Sequence, residues 1–334
     1  MIQTSSLTSF CDENLIKKYA YGHLSRQDRL HIIDSIKSSL PRKIKELEND
    51  NLQYFLNLSK NKIEMQNGFA DVNCDSIKKL VHQKLNFEKL TKSLSVCESP
   101  NKKKSSRKAY LIPKANLDFF DINHAAIELA TNPIILSSIA NYIGEAPILW
   151  NAQILFSPYM SLDRPNRLLN RVRNLRYRGG FDKYQGSQLF HIDADHPHTV
   201  KLWVYLSDVT NDSGPLTFIP GHFSDQATYK LGEDSSNKQL DKNLKDFINK
   251  KKVLTRNTGS VFLIDTGRCL HYGSRDIKSN KERYALVIHY TSLFSEYLFD
   301  RNNFDKAKKR VENFLEKGTS TVIEKLFRYR EYSL

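Results

Sequence analysis

One short segment combines two residue types that bind metal ions in proteins. His191 and Asp193 lie two positions apart within Gln188–Asp193, and in a strand this spacing points both side chains to the same face. His271 follows the strand-like run Ser260–Ile264 and its turn, and it could supply a third ligand. Two imidazoles and one carboxylate form the facial set of non-heme Fe(II) oxygenases, which leaves coordination positions open.

A His-x-Asp pair alone is a weak signal, because a chain with 10 histidines can produce one by chance. The residues that follow the pair make the pattern more specific. They are the alternating run Val200–Val209, the turn-rich block Ser213–His222, then His271, and finally Arg283 at the head of the strand-like run Tyr284–Thr291.

This order resembles the phytanoyl-CoA dioxygenase family of Fe(II)/2-oxoglutarate oxygenases, over Gln188–Tyr290. The resemblance implies that His191, Asp193 and His271 bind the metal and that Arg283 binds 2-oxoglutarate. An arginine suits that role because its planar fork can bind both oxygens of a carboxylate.

Two further co-substrate contacts, Trp203 and Ser274, are implied by the same resemblance. Trp203 matches an aromatic residue of the family's central strand, and Ser274 matches the serine of its His-Gly-Ser turn. The chain departs from the family in that turn, where Tyr272 is inserted. It also departs in the block Ser213–His222, where Ser213 replaces an asparagine and the serine before the final histidine is missing.

The resemblance also implies cofactors and a reaction. Fe(II), 2-oxoglutarate and O₂ would together hydroxylate a C–H bond of a small organic substrate, with release of succinate and CO₂. Two other classes stay open: a metal-binding jelly-roll protein without oxygenase activity, such as a zinc hydrolase or an isomerase, and a basic nucleic-acid-binding module. Arg283 favours the oxygenase, because a hydrolase has no evident use for a cation placed to bind a dicarboxylate.

Neighbouring residues offer alternatives for some of these roles. Asp195 could replace Asp193 as the carboxylate ligand, although position 193 has the family's spacing. Arg275 is the second choice for the co-substrate arginine, because its turn predicts solvent exposure. His196 and His198 surround a proline that interrupts the strand pattern, so we expect them at the surface of a loop.

An arginine-rich stretch, residues 164–178, precedes the His-x-Asp segment and ends at a glycine pair. We interpret it as a lid at the mouth of the site, in which Arg171, Arg173 and Arg176 contact an anionic substrate. A solvated basic loop explains the same pattern equally well. Nucleic acid is a third option, although few aromatic residues interleave with the arginines.

Two kinds of element must position these residues. Helical periodicity with a break at Pro41 dominates the first 110 residues, short strands with turn signals follow from about residue 147, and the tail Asn303–Tyr332 returns to a charged helix. The predicted helices are Glu13–Leu24, Arg26–Leu58, Ser76–Leu94 and Ile122–Ile143.

These elements predict an α+β protein with a mainly β core, an antiparallel barrel or jelly roll. With the family resemblance, we expect a cupin-like double-stranded β-helix with helices packed around it. The predicted parts are a helical region at 1–110, the oxygenase core at 111–300, and a C-terminal helix at 301–334.

The composition indicates a folded protein with a basic surface. Hydrophobic residues make up 40% of the chain, with 18 Phe and 16 Tyr, which excludes a wholly disordered chain. The net charge of +14 favours an anionic partner. No apolar run reaches membrane-spanning length, no signal-peptide pattern is visible, and four scattered cysteines predict free thiols. We therefore expect a cytoplasmic protein with no membrane span; its oligomeric state and the identity of its substrate stay open.

Overall fold

The computed structural model of the protein describes residues 25–85, 110–159, 184, 186–193, 196–232, 238–295, 298 and 301–332. The predicted helix Glu13–Leu24 and the second half of Ser76–Leu94 lie outside these residues. Among the described helices, none is long and apolar enough to cross a membrane. Cys74 and Cys269 are free thiols, as predicted.

Helices precede and follow the strands along the chain. They are α1 (Arg26–Ser39), α2 (Arg42–Leu56), α3 (Asp75–Lys84), α4 (Ala125–Ala130), α5 (Pro133–Ile143), α7 (Arg301–Leu315) and α8 (Thr321–Leu326), with α6 (Gly221–Leu231) lying between strands.

Local sequence signals set the ends of these helices. The predicted break at Pro41 is confirmed, because α1 ends at Ser39 and Pro41 caps the start of α2. Asn132 caps α5 by accepting hydrogen bonds from the backbone N–H groups of its first turn, and Pro133 occupies the first helical position, where a missing N–H costs nothing. The helix stops at Gly144, whose φ of 73° suits a residue without a side chain.

The strands form two antiparallel sheets. The strands are β1 (Phe69–Asp71), β2 (Ile112–Ala115), β3 (Ile148–Ser157), β4 (Val200–Tyr205), β5 (Thr217–Phe218), β6 (Lys252–Val253), β7 (Val261–Asp265), β8 (His271–Tyr272) and β9 (Arg283–Thr291). The major sheet has six strands in the order β1-β7-β4-β9-β3-β2, and the minor sheet has three in the order β6-β5-β8.

The two faces of the major sheet have different tasks. One face, with Leu202 and Ile288, belongs to a large apolar core that also contains residues of the helices. The opposite face, with Trp203 and Val287, packs in a second cluster with Phe218 of the minor sheet. The strands alternate between these clusters because successive side chains point to opposite faces. This is the predicted double-stranded β-helix, with helices on its back.

The predicted helix Ile122–Ile143 is two helices, α4 and α5. Two details of the strands also differ from the sequence prediction. β1 was not expected, because three residues give no visible alternation; Phe69 nevertheless pairs with Ile264 at the edge of the major sheet. The first of the short strands expected from about residue 147 is a long strand, β3, which pairs with β9 along nearly its whole length and has an irregular register between Leu149 and Asn151.

Candidate active site

The backbone brings the His-x-Asp segment against β8, although the two are far apart in sequence. His191 and His271 exchange backbone hydrogen bonds of 3.0 and 2.9 Å as an isolated antiparallel bridge. The Asp193 N–H donates to the Thr266 carbonyl oxygen at 2.8 Å. These bonds fix the three predicted ligands on neighbouring strands of backbone.

The side chains of His191, Asp193 and His271 converge. One potential ligand atom of each lies within 4.8 Å of the others. The Asp193 carboxylate oxygens lie 3.9 Å from His191 Nε2 and 3.8 Å from His271 Nε2. Each imidazole also has its Nδ1 2.9 Å from a backbone carbonyl oxygen two residues earlier, which fixes the tautomer with Nδ1–H and leaves Nε2 as a free lone pair.

The charges of this cluster suit a cation. Burial lowers the pKa of His191 well below its usual value and lowers the pKa of His271 to about 4, so both imidazoles are neutral at physiological pH. Burial alone would raise the pKa of the Asp193 carboxyl, but the Lys201 ammonium, which donates a hydrogen bond to it, holds this pKa well below its ordinary value. The cluster therefore consists of two neutral imidazoles and one carboxylate, a set of groups that could hold a metal ion.

Lys201 was not singled out from the sequence. Its Nζ lies 2.5 Å from Asp193 Oδ2, and its side chain is 19% exposed. The signal was available: Lys201 alternates with apolar residues in β4 and shares a face with Trp203, so a site containing Trp203 had to contain this ammonium as well.

The cluster lines a cavity of about 290 Å³ between the two sheets. Among its lining residues that the structure describes, Asp193 is the one acidic side chain. The lining comprises Leu111, Trp150, Asn151, Gln153, Leu155, Ser187, His191, Asp193, Lys201, Trp203, Leu216, His271, Gly273, Ser274, Arg283, Val287 and His289.

Arg283 is the first residue of β9 and is 2% exposed. His289, near the other end of this strand, lies opposite Lys201, the ion-pair partner of Asp193.

The guanidinium of Arg283 donates to the Gly214 carbonyl oxygen at 2.6 Å and to the hydroxyls of Ser157 and Ser274 at 3.1 Å each. The Tyr205 hydroxyl is a further hydrogen-bond partner. All of these partners are neutral, and no carboxylate of the described residues forms an ion pair with Arg283. Burial lowers the pKa of Arg283, which reflects the cost of a buried charge without a counter-ion.

The other two predicted co-substrate residues lie beside this arginine. The Ser274 hydroxyl is 2.8 Å from that of Ser157, and the Ser274 backbone has a φ of 60°, a region that non-glycine residues rarely adopt. Trp203 is 7% exposed, lies with its ring 5.9 Å from the Arg283 guanidinium, and has no hydrogen-bond partner for its Nε1–H among the described residues. Ser157 was missed, because β3 carries no motif.

The expectation that Arg275 is exposed is wrong. Arg275 is 7% exposed and donates both terminal nitrogens to the Asp241 carboxylate at 3.0 Å each. Its guanidinium stacks 3.5 Å from the centre of the Tyr272 ring, and its Nε–H donates to the Gln188 carbonyl oxygen. The side chain is fully engaged in holding the segment before His191.

The expectation for His196 and His198 is also wrong, since neither lies on an exposed rim. His196 is 1% exposed, with Nε2 3.0 Å from the Ser292 hydroxyl. His198 is half-buried, with Nδ1 2.8 Å from the Asp265 carboxylate. The proline between them turns the chain inward, where buried acceptors satisfy both rings.

Several sequence candidates lie outside the described residues. They are the alternative ligand Asp195 and the predicted substrate arginines Arg171, Arg173 and Arg176.

Comparison with known proteins gives one family and a set of remote folds. Residues 182–285 match the family model of phytanoyl-CoA dioxygenase (PhyH). No curated protein matches.

Several solved structures match this chain remotely, with low TM-scores. They include the non-heme α-ketoglutarate-dependent epimerase SnoN from nogalamycin biosynthesis (13% identity, 73% of this chain and 84% of that chain, TM-score 0.41). They also include EctD from S. alaskensis in its apo form (11%, 68% and 74%, 0.42), and HygX from Streptomyces hygroscopicus with nickel and 2-oxoglutarate bound (16%, 76% and 88%, 0.41).

Proposed function

Because residues 182–285 belong to the phytanoyl-CoA dioxygenase family of non-heme Fe(II)/2-oxoglutarate oxygenases, we propose that this protein hydroxylates a C–H bond of a small organic substrate, with release of succinate and CO₂. One observation carries the proposal: a His-Asp-His cluster and a buried arginine without a carboxylate partner among the described residues line the same cavity.

The metal end of the cavity fits Fe(II). His191, Asp193 and His271 would hold the ion on one side, which leaves positions open for the co-substrate and O₂. Because burial keeps both imidazoles neutral, no proton has to leave before the ion binds. Asp193 Oδ2 already contacts Lys201, so Oδ1 is the oxygen better placed to bind the metal.

The other end of the cavity fits the distal carboxylate of 2-oxoglutarate. Arg283 supplies the charge that this carboxylate needs, while the hydroxyls of Ser157 and Ser274 supply further hydrogen bonds at the same point. The unpartnered Nε1–H of Trp203 adds a donor, and buried polar atoms of this kind are costly unless a ligand satisfies them. The distal carboxylate of 2-oxoglutarate would be the anionic partner that the described side chains do not give to Arg283.

When bound together, the ion and 2-oxoglutarate would activate O₂, the oxidant: 2-oxoglutarate would give two of the four electrons that O₂ takes up, and the substrate C–H bond would give the other two. The chain's own residues bind, orient and shield. Arg283 and its serines fix one end of the co-substrate, and the three ligands fix the other. Val287 and Leu216 on the cavity wall exclude water from the space between, which strengthens these electrostatic contacts.

A zinc hydrolase or an isomerase on the same ligands is the weaker alternative. Such an enzyme would use the three ligands but would leave the buried charge of Arg283 without a counter-ion. That charge would lower the stability of the fold and serve no purpose in the reaction. A nucleic-acid-binding module would need neither the converging ligands nor the buried arginine.

The proposal is tested by succinate formation from 2-oxoglutarate with Fe(II) and O₂. We expect His191→Ala, Asp193→Ala and His271→Ala each to abolish it, because two ligands do not hold a labile Fe(II) under turnover. Thermal unfolding checks that the variants stay folded. Full activity in Asp193→Ala combined with loss in Asp195→Ala would move the carboxylate ligand to position 195, and metal-independent activity would refute the proposal.

A further inference from the structure

A row of polar side chains crosses the inner face of the major sheet at the end away from Arg283. Lys201 of β4 lies opposite His289 of β9, and His289 lies opposite Asn151 of β3. All three line the cavity. Arg283 begins β9, six positions before His289, which corresponds to roughly 20 Å of strand.

Lys201 is the charged member of this row. Its stem starts among the apolar residues of β4, and its ammonium reaches Asp193 Oδ2 at 2.5 Å. Among the described residues, Asp193 is its one ion-pair partner. A metal ion held by Asp193, His191 and His271 would draw on that same carboxylate, so Lys201 would then share its counter-ion with a divalent cation.

The charges of the loaded site do not cancel. The loaded site would hold four positive charges, two on Fe(II) and one each on Lys201 and Arg283, against three negative charges, one on Asp193 and two on 2-oxoglutarate, because a histidine that binds a metal ion is neutral. No other acidic residue lines the cavity among the residues described. A buried positive charge without a counter-ion is costly, so the loaded cavity attracts one further negative charge.

The proposed position of the co-substrate leaves the Lys201 end of the cavity unused. The co-substrate would extend from the metal ligands toward Arg283, whereas the row of Lys201, His289 and Asn151 lies at the opposite end of the same face. This end is therefore available to the molecule that is oxidised.

We infer that the primary substrate carries an anionic group, a carboxylate or a phosphate, which Lys201 binds beside the metal with His289 and Asn151 as its polar neighbours. The inference rests on the proposed function, since it takes the metal and the co-substrate as bound. It assigns substrate recognition to the sheet itself and does not depend on the arginine-rich stretch.

The test uses the full-length protein loaded with Co(II), which is paramagnetic, and with saturating 2-oxoglutarate, which occupies Arg283. The probes are phenylacetate, phenyl phosphate and the neutral phenylacetamide, which has nearly the shape of phenylacetate. The readout is the broadening of probe proton NMR signals by Co(II), which requires a probe close to the metal. The variants are Lys201→Gln, Lys201→Arg and the control Lys252→Gln, which removes the same charge from an exposed position of β6.

We expect both anions, but not phenylacetamide, to be broadened by the wild-type protein. Lys201→Gln should weaken anion binding at least about tenfold, in keeping with a charge-assisted hydrogen bond, whereas Lys201→Arg and Lys252→Gln should retain it. The anion that binds more tightly, phenylacetate or phenyl phosphate, identifies whether the group on the substrate is a carboxylate or a phosphate.

Equal broadening by phenylacetate and phenylacetamide in the wild-type protein, or unchanged anion binding in Lys201→Gln, would overturn the inference. Calorimetric titration of 2-oxoglutarate into the same Co(II)-loaded samples distinguishes failure of the inference from failure of the proposed function. If 2-oxoglutarate binds and the anions show no preference, the inference fails alone; if 2-oxoglutarate does not bind, the proposed function fails and the inference with it.

Discussion

Two buried arginines eight positions apart behave in opposite ways. Arg275 forms a fork with the Asp241 carboxylate and stacks on Tyr272, so its charge is neutralised within the fold. Arg283 is more deeply buried, yet its hydrogen-bond partners are one carbonyl and the hydroxyls of serine and tyrosine side chains, none of them charged. Burial of a charge is tolerated when an anion accompanies it, so the first arginine needs nothing more and the second needs a ligand.

Both arginine side chains are buried, so burial does not distinguish their roles. Their partners do, because Arg275 contacts a carboxylate and Arg283 contacts neutral groups. Asp241 is 46% exposed and tethers Arg275 from the surface, which secures the segment leading to His191. Gly214 and Ser274 instead form a neutral cradle around Arg283, and a side chain at Gly214 would meet the Ser274 backbone at 2.9 Å. We therefore expect substitutions of the two arginines to affect different measurements.

The largest effect is expected at Arg283. Arg283→Lys keeps the charge but loses the two-point fork, so binding of 2-oxoglutarate should weaken by roughly 1.5–3 kcal/mol, the range for hydrogen bonds to charged groups, while metal content stays the same. Isothermal titration of 2-oxoglutarate into the Co(II)-loaded protein measures this change. Arg275→Lys serves as the matched control and should bind 2-oxoglutarate as the wild type does. If Arg275→Lys weakened binding and Arg283→Lys did not, Arg275 would be the arginine that binds 2-oxoglutarate.

Arg275→Ala should lower the free energy of unfolding by about 2 kcal/mol, because it removes a bidentate ion pair and leaves Asp241 alone. Chemical denaturation measures this loss. A double-mutant cycle with Asp241→Asn isolates the pair itself, and we expect a clear coupling between the two positions. Additive effects would mean that the pair contributes nothing and that the stacking on Tyr272 stabilises the segment.

The smallest effect is expected at the hydroxyls beside Arg283. Ser274→Ala should weaken 2-oxoglutarate binding by about 1 kcal/mol, the usual contribution of a single hydrogen bond, and Ser157→Ala should do the same. Titration calorimetry of both variants gives the comparison, with thermal unfolding as the control for folding. Loss of stability without any change in binding would assign both serines to the fold.

The order of the site residues could be predicted from the sequence, because local patterns encode it. The spacing of His191 and Asp193, the alternation of β4, and the arginine that begins β9 are all short-range signals. The structure brings His191, Asp193 and His271 together, and it places Trp203 and Ser274 beside Arg283. Their roles as ligands and co-substrate contacts stay predictions until they are measured.

Contacts between distant segments could not be predicted. Ser157 contacts Arg283 because β3 pairs with β9 in a register that places these two residues opposite each other. No sequence motif predicts that register. Arg275 lies in a polar turn, so its burial depends on Asp241 and Tyr272 packing over it. His196 likewise is buried because the Ser292 hydroxyl, which is far away in sequence, provides a hydrogen-bond partner for its ring. In each case a tertiary partner overrides the local pattern.

The most direct test of the central claim is an anaerobic titration of 2-oxoglutarate into the Fe(II)-loaded protein, followed by visible absorption. Chelation of Fe(II) by the keto oxygen and neighbouring carboxylate of 2-oxoglutarate produces a metal-to-ligand charge-transfer band. We predict that the band appears in the wild type and in Arg275→Lys, requires more 2-oxoglutarate in Arg283→Lys, and is absent in folded Asp193→Ala. A wild-type protein that binds Fe(II) but shows no band at saturating 2-oxoglutarate would contradict the claim.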